Sequence, residues 1–380
     1  MLYTMKIVYC LNSIRGLGGI QRVTIVKANA LAEISSNEVY LVITDDHMDH
    51  PLIHPLSDKV KLIHLPVNYY DDDYKTDLRS RLRQKIIFVK HLFYLQETIN
   101  KIKPDILISV GQSEKWFLPI IKTDASKIRE IHFNSNYRDF TIPCVIKRKL
   151  ISWLDFSINC RGYDRVVLLT KEDKEQNFPT RKNFIYIHNP LTMEKLNGNG
   201  EKRKIVLAVG RLVEQKNFSL LIKVWSKIAD EAKEWKLRII GDGPEKAKLS
   251  TLISDLGCSH CIELPGYSDK VHKEMVEASF YVATSKYEGF MLTLLEAIGS
   301  GLPCVSFIFP YGPKDIITDG VDGLLISQGD EKELADGMIR LIKNPVLRNN
   351  MGKNALKKAE CFTLASIIER WMNLFVELRK

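Results

Sequence analysis

The chain has no long apolar segment and few cysteines. No stretch approaches the roughly 18 uninterrupted apolar residues that a membrane-spanning helix needs. The 7 cysteines are scattered and odd in number, which is typical of proteins from a reducing compartment. The stretch MKIVYCLNSI near the start lacks a charged leader and a small-residue cleavage site, so we expect a β-strand there and not an export signal. These features predict a cytoplasmic protein.

Motifs for metal ions and nucleic acids are also missing. The acidic run 71–73 lies in a polar, tyrosine-rich loop rather than after a central strand. Cys258 and Cys261 form a lone CxxC with no second pair, which does not complete a zinc site. No basic strand with interleaved aromatic residues, a pattern typical of nucleic-acid readers, is present. We therefore expect no metal, no cofactor and no nucleic-acid partner.

Positive charge is abundant and unevenly distributed. The net charge is +9 over 380 residues, and between residues 75 and 103 eight basic residues accompany two acidic ones. Apolar residues recur in that segment at helical spacing, at Leu82, Ile86, Val89 and Phe93. The pattern predicts a basic amphipathic helix. Such a helix presents either a solvated face or a surface for an anionic membrane.

Apolar runs alternate with helical patterns along the whole chain, which predicts parallel α/β layers. The first series of predicted strands is Lys6–Leu11, Val39–Thr44, Lys61–Leu65, Ile106–Val110, Ile128–Phe133, Arg165–Leu169 and Ile185–Ile187. The second series is Ile205–Val209, Lys236–Ile240, Cys261–Leu264, Tyr281–Thr284, Pro303–Phe307 and Gly323–Leu325. A polar, glycine-rich stretch at 197–204 separates the two series. The sequence therefore predicts two doubly wound α/β domains, with ligands bound beyond the carboxyl ends of the strands.

The stretch KYEGFMLTLLEAIGSGLP carries the most information about function. The apolar run 280–284 predicts a buried strand, residues 285–290 its exit loop, and residues 291–300 a short helix ended by glycine. Glu288 then lies at the mouth of this unit. Glu296 is expected about two turns into the helix.

Backbone amides without intrahelical partners are expected where this helix starts. Those of Gly289, Phe290 and Met291 would bind phosphate or sugar oxygens well. Two acids and an anion hole in one crevice suit a ligand that carries both a diphosphate and hydroxyl-rich rings. An acidic helix start with a solvated second glutamate fits the same spacing, so the spacing alone leaves both interpretations open.

Other loops after predicted strands contain glycine and basic residues. The stretch GLGGIQR at 16–22 follows the first strand; its glycines would let amides approach an anion, and a plain tight turn is the alternative. Its spacing is not that of the dinucleotide motif GxGxxG. Arg211 and Lys216 follow the first strand of the second series. There the planar guanidinium group of the arginine and the ammonium group of the lysine could both contact one diphosphate. Solvent-facing basic residues are the alternative there.

Two further turns fall on the same rim of the second predicted sheet. Gly241 opens the turn GDGP after the next strand. Leu264, Gly266 and Tyr267 belong to the turn LPGY after the third strand, whose exposed backbone could hydrogen-bond a flat base. Both turns extend the predicted binding edge.

In their order along the chain, GGIQR, GRLVEQKN, GDGP, LPGY and EGFMLTLLEAIGSGLP resemble the motifs of glycosyltransferase family 4, whose members are retaining enzymes of the GT-B fold. The resemblance covers essentially the whole chain and is most specific at the glutamate pair. It implies two Rossmann-like domains that face a central cleft. Residues 1–188, joined by a C-terminal helix at about 363–380, would bind the acceptor. Residues 189–362 would bind a nucleotide-sugar donor.

The resemblance also implies roles for individual residues. Arg211 and Lys216 would neutralise the leaving diphosphate, and Glu288 would face the transferred sugar. His132 would lie near the reacting centre. The remaining donor contacts are Gly18 and Gly19 from the first domain, the amides of Gly289, Phe290, Met291, Leu292 and Thr293, and Glu296 on the ribose hydroxyls. Enzymes of this kind are described as needing neither a metal nor a covalent intermediate.

Residues 306–317 resemble a loop of family members that build bacterial surface polysaccharides and teichoic-type polymers. Phe309 stands where those members have an acidic residue before the proline. The sequence thus predicts a retaining, metal-independent transfer of a hexose or N-acetylhexosamine from a UDP-sugar to a saccharide acceptor. We expect this acceptor to be lipid-linked, and the protein to work at the inner face of the plasma membrane.

Two alternatives remain open at this level. One is a UDP-sugar epimerase of the same architecture, which would use a UDP-sugar without an acceptor. The other is a non-catalytic module that binds saccharide or lipid and releases no UDP. The intact spacing of Arg211, Lys216, Glu288 and Glu296 favours an enzyme.

Overall fold

The computed structural model of the chain describes residues 4–16, 18–45, 52–69, 78–111, 113–193 and 202–379. Two features singled out in the sequence lie outside these ranges. They are the acidic run 71–73 and the greater part of the polar stretch 197–204.

The first half of the chain forms a seven-stranded parallel sheet with the strand order β3-β2-β1-β4-β5-β6-β7. Its strands are β1 (Met5–Leu11), β2 (Asn37–Ile43), β3 (Val60–His64), β4 (Ile106–Ser109), β5 (Ser126–Glu130), β6 (Arg165–Leu168) and β7 (Phe184–Tyr186). The helices around it are α1 (Gly19–Ala32), α2 (Leu78–Ile102), α3 (Tyr137–Thr141), α4 (Val145–Ser152) and α5 (Lys171–Asn177). Strand order reverses at β1, which is where doubly wound sheets open a binding crevice.

The second half forms a six-stranded parallel sheet with the order β10-β9-β8-β11-β12-β13. Its strands are β8 (Ile205–Val209), β9 (Lys236–Ile240), β10 (Ile262–Gly266), β11 (Phe280–Ala283), β12 (Cys304–Phe307) and β13 (Gly323–Ile326). Its helices are α6 (Phe218–Ile228), α7 (Lys246–Asp255), α8 (Val271–Glu277), α9 (Leu292–Gly299), α10 (Pro313–Ile316), α11 (Glu331–Lys343) and α12 (Pro345–Ala359). Both sheets have the architecture predicted from the alternating apolar runs.

The last helix, α13 (Leu364–Leu378), returns to the first sheet, as the sequence predicted. Ile367, Trp371 and Phe375 are buried in the same core cluster as residues of β1 and α1. The Ser126 hydroxyl donates a hydrogen bond to the carbonyl oxygen of Leu378 at 2.7 Å. The C-terminal helix therefore packs with the first half of the chain, although it follows the second half in sequence.

All the predicted strands are present, and only their ends differ. The largest shift is at β5, which ends at Glu130 and not at Phe133, so that His132 lies in the loop after the strand. The helix after β1 begins at Gly19. Both Gly19 and His132 therefore lie at or beyond the ends of elements, where backbone groups are accessible.

The predicted basic helix is present as α2, but its most regular apolar residues do not face the core. Leu82, Ile86, Val89 and Phe93 are exposed, whereas a different stripe that includes Ile87 is buried. Among the described residues, no helix combines the length and the hydrophobicity that crossing a bilayer requires.

A buried ion pair joins α1, β5 and α13 below the carboxyl edge of the first sheet. Lys27 Nζ pairs with Glu130 Oε1, and both side chains are about 1% exposed. The same ammonium lies 4.6 Å from the ring centroid of Trp371. Burial alone would raise the pKa of Glu130, but Lys27 and His132 outweigh it and hold that pKa at about 2. The pair thereby fixes the strand end that precedes the loop carrying His132.

Replacing Lys27 by methionine tests this pair. The variant leaves the Glu130 carboxylate buried without its main cation, so we expect the free energy of unfolding at pH 7 to fall by about 3–5 kcal/mol. The pKa of Glu130 is depressed from 4.5 to about 2 in the folded protein, so its contribution is full above pH 4.5 and is lost as the pH falls toward 2. The difference in the free energy of unfolding between wild type and Lys27→Met, measured with urea, should therefore become smaller as the pH falls from 4.5 toward 2.

The double variant Lys27→Met with Glu130→Gln is the matched control. It removes both charges, so it should recover much of the lost stability at pH 7 and show a flatter pH dependence. A Lys27→Met deficit that is the same at pH 7 and pH 3 would contradict this account of the pair.

Candidate functional site

Four loops at the carboxyl edge of the second sheet form one continuous rim. They follow β8, β9, β10 and β11, which are neighbours in the sheet. The Gly210 amide donates to Ile240 at 3.0 Å, and the Gly241 amide donates to Gly266 at 2.9 Å. Gly241 has φ +149°, and a Cβ there would overlap the carbonyl oxygen of Gly210. Glycine is therefore needed at 241 for the loops to pack this closely.

The predicted base-binding turn lies at the outer end of this rim. Leu264 and Gly266 belong to β10, and Gly266 has φ +91°. Tyr267 follows them with its side chain exposed. The structure thus places Gly241, Leu264, Gly266 and Tyr267 on one edge, as the sequence predicted.

Lys216 and Glu288 meet at the centre of the rim. Lys216 Nζ lies 2.7 Å from Glu288 Oε1, and both side chains are largely shielded, at 14% and 13% exposure. The Ser285 hydroxyl donates to the same carboxylate oxygen at 2.9 Å. Lys216 lies along Gly210, where a Cβ would come within 2.9 Å of the lysine Cε. The glycine makes room for the lysine, and the lysine reaches the glutamate.

The two loops that carry this ion pair are bonded to each other. The Thr284 hydroxyl donates to the carbonyl oxygen of Lys216 at 3.0 Å. Gln215 donates through Nε2 to the carbonyl oxygen of Tyr287 at 2.7 Å and accepts from the Lys286 amide at 2.8 Å. These bonds hold the ammonium and the carboxylate at fixed positions before any ligand binds.

Arg211 starts the same loop as Lys216, and its side chain is exposed. It is not part of the Lys216–Glu288 pair. The structure therefore brings Lys216 and Glu288 together and leaves Arg211 on the open side of the rim.

The N-termini of α1 and α9 face each other across the cleft. A Cβ at Gly19, the first residue of α1, would lie 2.9 Å from Leu292 Cδ1, which belongs to the first residue of α9. Gly18 and Met291 are the residues before the two helices, and neither helix has a side-chain cap. The first amides of both helices thus lack side-chain acceptors on the two sides of one gap. Such a gap is suited to an anion.

The side chains that flank Leu292 at the start of α9 are turned away from the gap. Phe290 and Met291 are buried in the core of the second sheet. Thr293 accepts a hydrogen bond from the Tyr281 hydroxyl at 3.0 Å. The predicted contacts at Gly289 to Thr293 are therefore available through backbone amides.

Glu296 forms a buried ion pair that crosses the cleft. Its Oε1 pairs with Arg22 Nη2 of α1, and its side chain is 4% exposed. The Thr192 hydroxyl contacts the same oxygen at 3.4 Å. Burial raises the pKa of Glu296, and Arg22 opposes that rise. Because α9 begins at Leu292, Glu296 is just over one turn into the helix and not two.

His132 lies where the two domains touch. Its Nε2 is 3.2 Å from Glu130 Oε1, the oxygen that Lys27 also contacts. Its carbonyl oxygen packs against Gly289, where a Cβ would overlap it. The structure thus places the predicted His132 beside the loop of Glu288. It also gives Gly289 a second role, since only glycine allows this approach.

Contacts that sequence reasoning missed also cross the cleft. Asn134 Nδ2 donates to the carbonyl oxygen of Glu288 at 2.7 Å, and Asn136 Nδ2 donates to the Tyr311 hydroxyl at 2.7 Å. The rings of Phe140 and Tyr287 stack at 4.3 Å. The sequence gives only a weak indication of these contacts, because the position of Asn134 and Asn136 after a predicted strand end is their one distinguishing feature.

The loop at 306–317 makes another cross-domain contact. Asp315 accepts from the backbone amides of Lys171 and Glu172 at 3.0 and 3.3 Å, at the start of α5. His188 Nε2 is 3.1 Å from the same carboxylate. Phe309 is buried in the second core. The loop therefore joins the two domains beside the segment where the chain passes between them.

No cluster of three or more His, Cys, Asp or Glu residues suited to a metal ion occurs in the parts of the chain that the structure describes.

Comparison with known proteins follows the same division of the chain. Residues 192–358 match the family of glycosyl transferases group 1. The chain is 29% identical over 296 residues to the poly(ribitol-phosphate) alpha-N-acetylglucosaminyltransferase of Staphylococcus aureus. That match covers 75% of this chain and 58% of the relative, so the chain spans little more than half of that protein. An uncharacterized glycosyltransferase of Haemophilus influenzae is 27% identical over 375 residues, which cover 97% of this chain and 99% of the relative.

Solved structures show the same architecture. The crystal structure of an S. aureus TarM variant in complex with fondaparinux, alpha-GlcNAc-glycerol and UDP matches with a TM-score of 0.76 at 18% identity. The match covers 98% of this chain and 100% of that one. Residues 192–358 are therefore similar to the glycosyl transferases group 1 family, and the chain as a whole has the GT-B fold.

Proposed function

We propose that this chain is a retaining glycosyltransferase that moves a hexose or N-acetylhexosamine from a UDP-sugar to a saccharide acceptor. The observation that carries the proposal is the Lys216–Glu288 pair on the loop that leads into α9, the helix whose first residue meets Gly19 of α1. A binding module would not need an acid, a cation and two sets of free amides around one gap.

The gap suits the diphosphate of the donor. When the bond between the anomeric carbon and the phosphate oxygen breaks, its electron pair leaves with the diphosphate and negative charge grows there. Lys216, Arg211 and the helix amides supply positive charge at that point, and such fixed stabilisation is usually the largest catalytic contribution. We propose for this reason that the side chains and amides do the work of a metal ion.

Glu288 is proposed to exchange its partner during turnover. Without a ligand it neutralises Lys216 at 2.7 Å. A diphosphate would compete for the ammonium and leave the carboxylate to accept hydrogen bonds from hydroxyl groups of the transferred sugar. The acceptor hydroxyl then bonds to the anomeric carbon, and its proton passes to the leaving diphosphate. Retention of configuration is proposed from the resemblance to family 4.

The nucleoside is proposed to lie along the second domain. Glu296 would take the ribose hydroxyls in place of Arg22, and the backbone of the turn from Leu264 to Tyr267 would contact the base. Uridine is proposed because the solved TarM complex holds UDP. Gly18 and Gly19 would cover the donor from the first domain.

The acceptor is proposed to bind against the first domain, in the part of the cleft lined by His132 and Asn134. A role in bacterial surface-polysaccharide synthesis is supported by the relative from S. aureus, whose name states that it acts on poly(ribitol phosphate). We propose a lipid-linked saccharide as acceptor and a cytoplasmic site of action.

Removing the Lys216 ammonium should slow sugar transfer. We expect Lys216→Ala to reduce kcat by about 10²-fold or more, the typical effect of losing one donor to a developing negative charge. UDP release in the presence and absence of acceptor measures this. Lys286→Ala is the control, because Lys286 lies on the same rim but pairs at the surface with Glu214. Turnover of Lys216→Ala at the wild-type rate would refute the role given to this lysine.

The same assay separates transfer from epimerisation. Transfer requires an acceptor and releases UDP. Conversion of the UDP-sugar to an epimer without acceptor would show that the chain is an epimerase instead.

Nucleotide binding should depend on Glu296. A ligand at 100 times its Kd stabilises the native state by about 2.7 kcal/mol, so UDP should raise Tm measurably and GDP should raise it less. Glu296→Gln keeps the shape but removes the charge, and we expect it to lose most of the UDP-induced shift. Glu331→Gln on α11, where Glu331 pairs with Lys227 at the surface, should keep the shift. Equal shifts in both variants would remove Glu296 from the donor site.

A further inference from the structure

Helix α4 has an unusual environment for a helix of a folded domain. None of its eight residues is buried. Val145, Ile146 and Leu150 are 48%, 81% and 53% exposed, although each is apolar. Helices of this length are not stable alone in water and normally bury an apolar face. The apolar residues of α4 therefore have the character of a contact surface.

Exposed apolar residues continue on both sides of α4. Trp153 and Ile158 follow it and are 55% and 48% exposed, whereas Phe156 between them is buried. Phe140 precedes α4, and its ring stacks on Tyr287 of the second domain. The surface thus begins at the rim of the cleft and extends away from it.

Helix α2 presents a second apolar stripe to solvent. Leu82, Ile86, Val89 and Phe93 are between 54% and 63% exposed. Their spacing places them on one face of the helix, about 170° around the axis from the buried stripe Ile87, His91, Leu95 and Ile99. The helix is therefore apolar on two opposite faces, and only one of them packs on the domain.

The two surfaces belong to the same layer of the first domain. Ile87 and Leu95 of α2 share a core cluster with Phe117 and Phe156, which follow β4 and α4 respectively. The segment around Trp116 and Phe117 connects the two regions. Asn159, which follows α4, donates a hydrogen bond to the carbonyl oxygen of Trp116, and the ring of Phe117 meets that of Phe88 of α2 at 4.8 Å. Trp116 is itself 41% exposed. Helix α2 and the segment that follows α4 therefore pack on the same face of the first sheet.

The excess of basic residues on α2 and α4 indicates which kind of partner this layer could contact. Residues 145–152 contain three basic residues and no acidic one, and residues 78–102 contain six basic residues and one acidic one. Lys147 and Lys149 of α4 are exposed, as are Arg79, Lys85 and Lys90 of α2. Apolar side chains bordered by basic ones, with tryptophans among them, match the interface of an anionic bilayer.

We propose that the outward faces of α2 and α4, with Trp116 and Trp153, form a docking surface for an anionic lipid bilayer. Other occupants fit less well. A soluble polyanion would use the lysines but has no need of exposed isoleucine, leucine and tryptophan. A second copy of the chain on the same patch would bring basic helices face to face, which is unfavourable. The proposal does not depend on the chemistry proposed for the cleft.

Flotation with lipid vesicles tests the docking surface. The full chain should float with vesicles of phosphatidylglycerol and phosphatidylcholine at low salt, and far less with phosphatidylcholine alone. Lys147→Gln with Lys149→Gln should weaken partitioning about 30-fold, roughly fivefold for each lysine. Ile146→Ser with Leu150→Ser should weaken it by about tenfold or more and abolish the part that resists high salt.

Matched control variants lie on the second domain. Lys353→Gln with Lys357→Gln removes two exposed lysines of α12, and Val346→Ser removes an apolar residue that is 68% exposed. Both should float as the wild type does. All variants should keep the wild-type Tm and turnover with a water-soluble acceptor, because the changed residues are exposed and outside the cleft.

Three outcomes would overturn the proposal. The first is no flotation of the wild type with anionic vesicles at low salt. The second is binding to soluble polyphosphate that matches vesicle binding and is unaffected by Ile146→Ser with Leu150→Ser. The third is a concentration-dependent dimer that the same apolar changes dissolve, which would assign the surface to a second copy.

Discussion

The close approach of the two domains at their helix N-termini is the constraint on which the rest of the site depends. It is possible because the facing positions are glycines: Gly19 lies against Leu292, and Gly289 lies against the carbonyl oxygen of His132. Side chains at these positions would hold the domains apart. The approach is what places uncapped amides on both sides of one gap and lets Arg22 reach Glu296. Sterics at a few glycines thus set the electrostatics of the whole cleft.

The acidic groups that face the gap form ion pairs, and a ligand could take the place of either partner. Each acid that faces the gap has a cation beside it, Glu288 with Lys216 and Glu296 with Arg22. Deeper in the first domain, Glu130 is held by Lys27 and carries the loop of His132. Pairing keeps these groups stable while they are shielded from water. A ligand that brings both a diphosphate and hydroxyl groups offers each partner a substitute, so the cleft can bind it without leaving a buried charge alone.

The fold could be predicted from the sequence because buried parallel strands appear as nearly continuous apolar runs, and the motifs fall directly at their ends. Packing across the cleft could not be predicted in this way. Asn134 and Glu288 are 154 residues apart, and Arg22 and Glu296 are 274 residues apart. Periodicity correctly located α2, but it detects an apolar stripe and not whether that stripe faces the core, and Ile86 faces solvent. Sequence patterns therefore predict the individual elements but not how those elements are placed relative to one another.

The most direct test of this account is a crystal structure of the chain with UDP. It should show the diphosphate between the N-termini of α1 and α9, with Lys216 Nζ about 3 Å from a phosphate oxygen. Glu296 should contact the ribose, and Glu288 should no longer be paired with Lys216. UDP bound on another surface, or a Lys216–Glu288 pair that stays intact beside a bound diphosphate, would contradict the central claim.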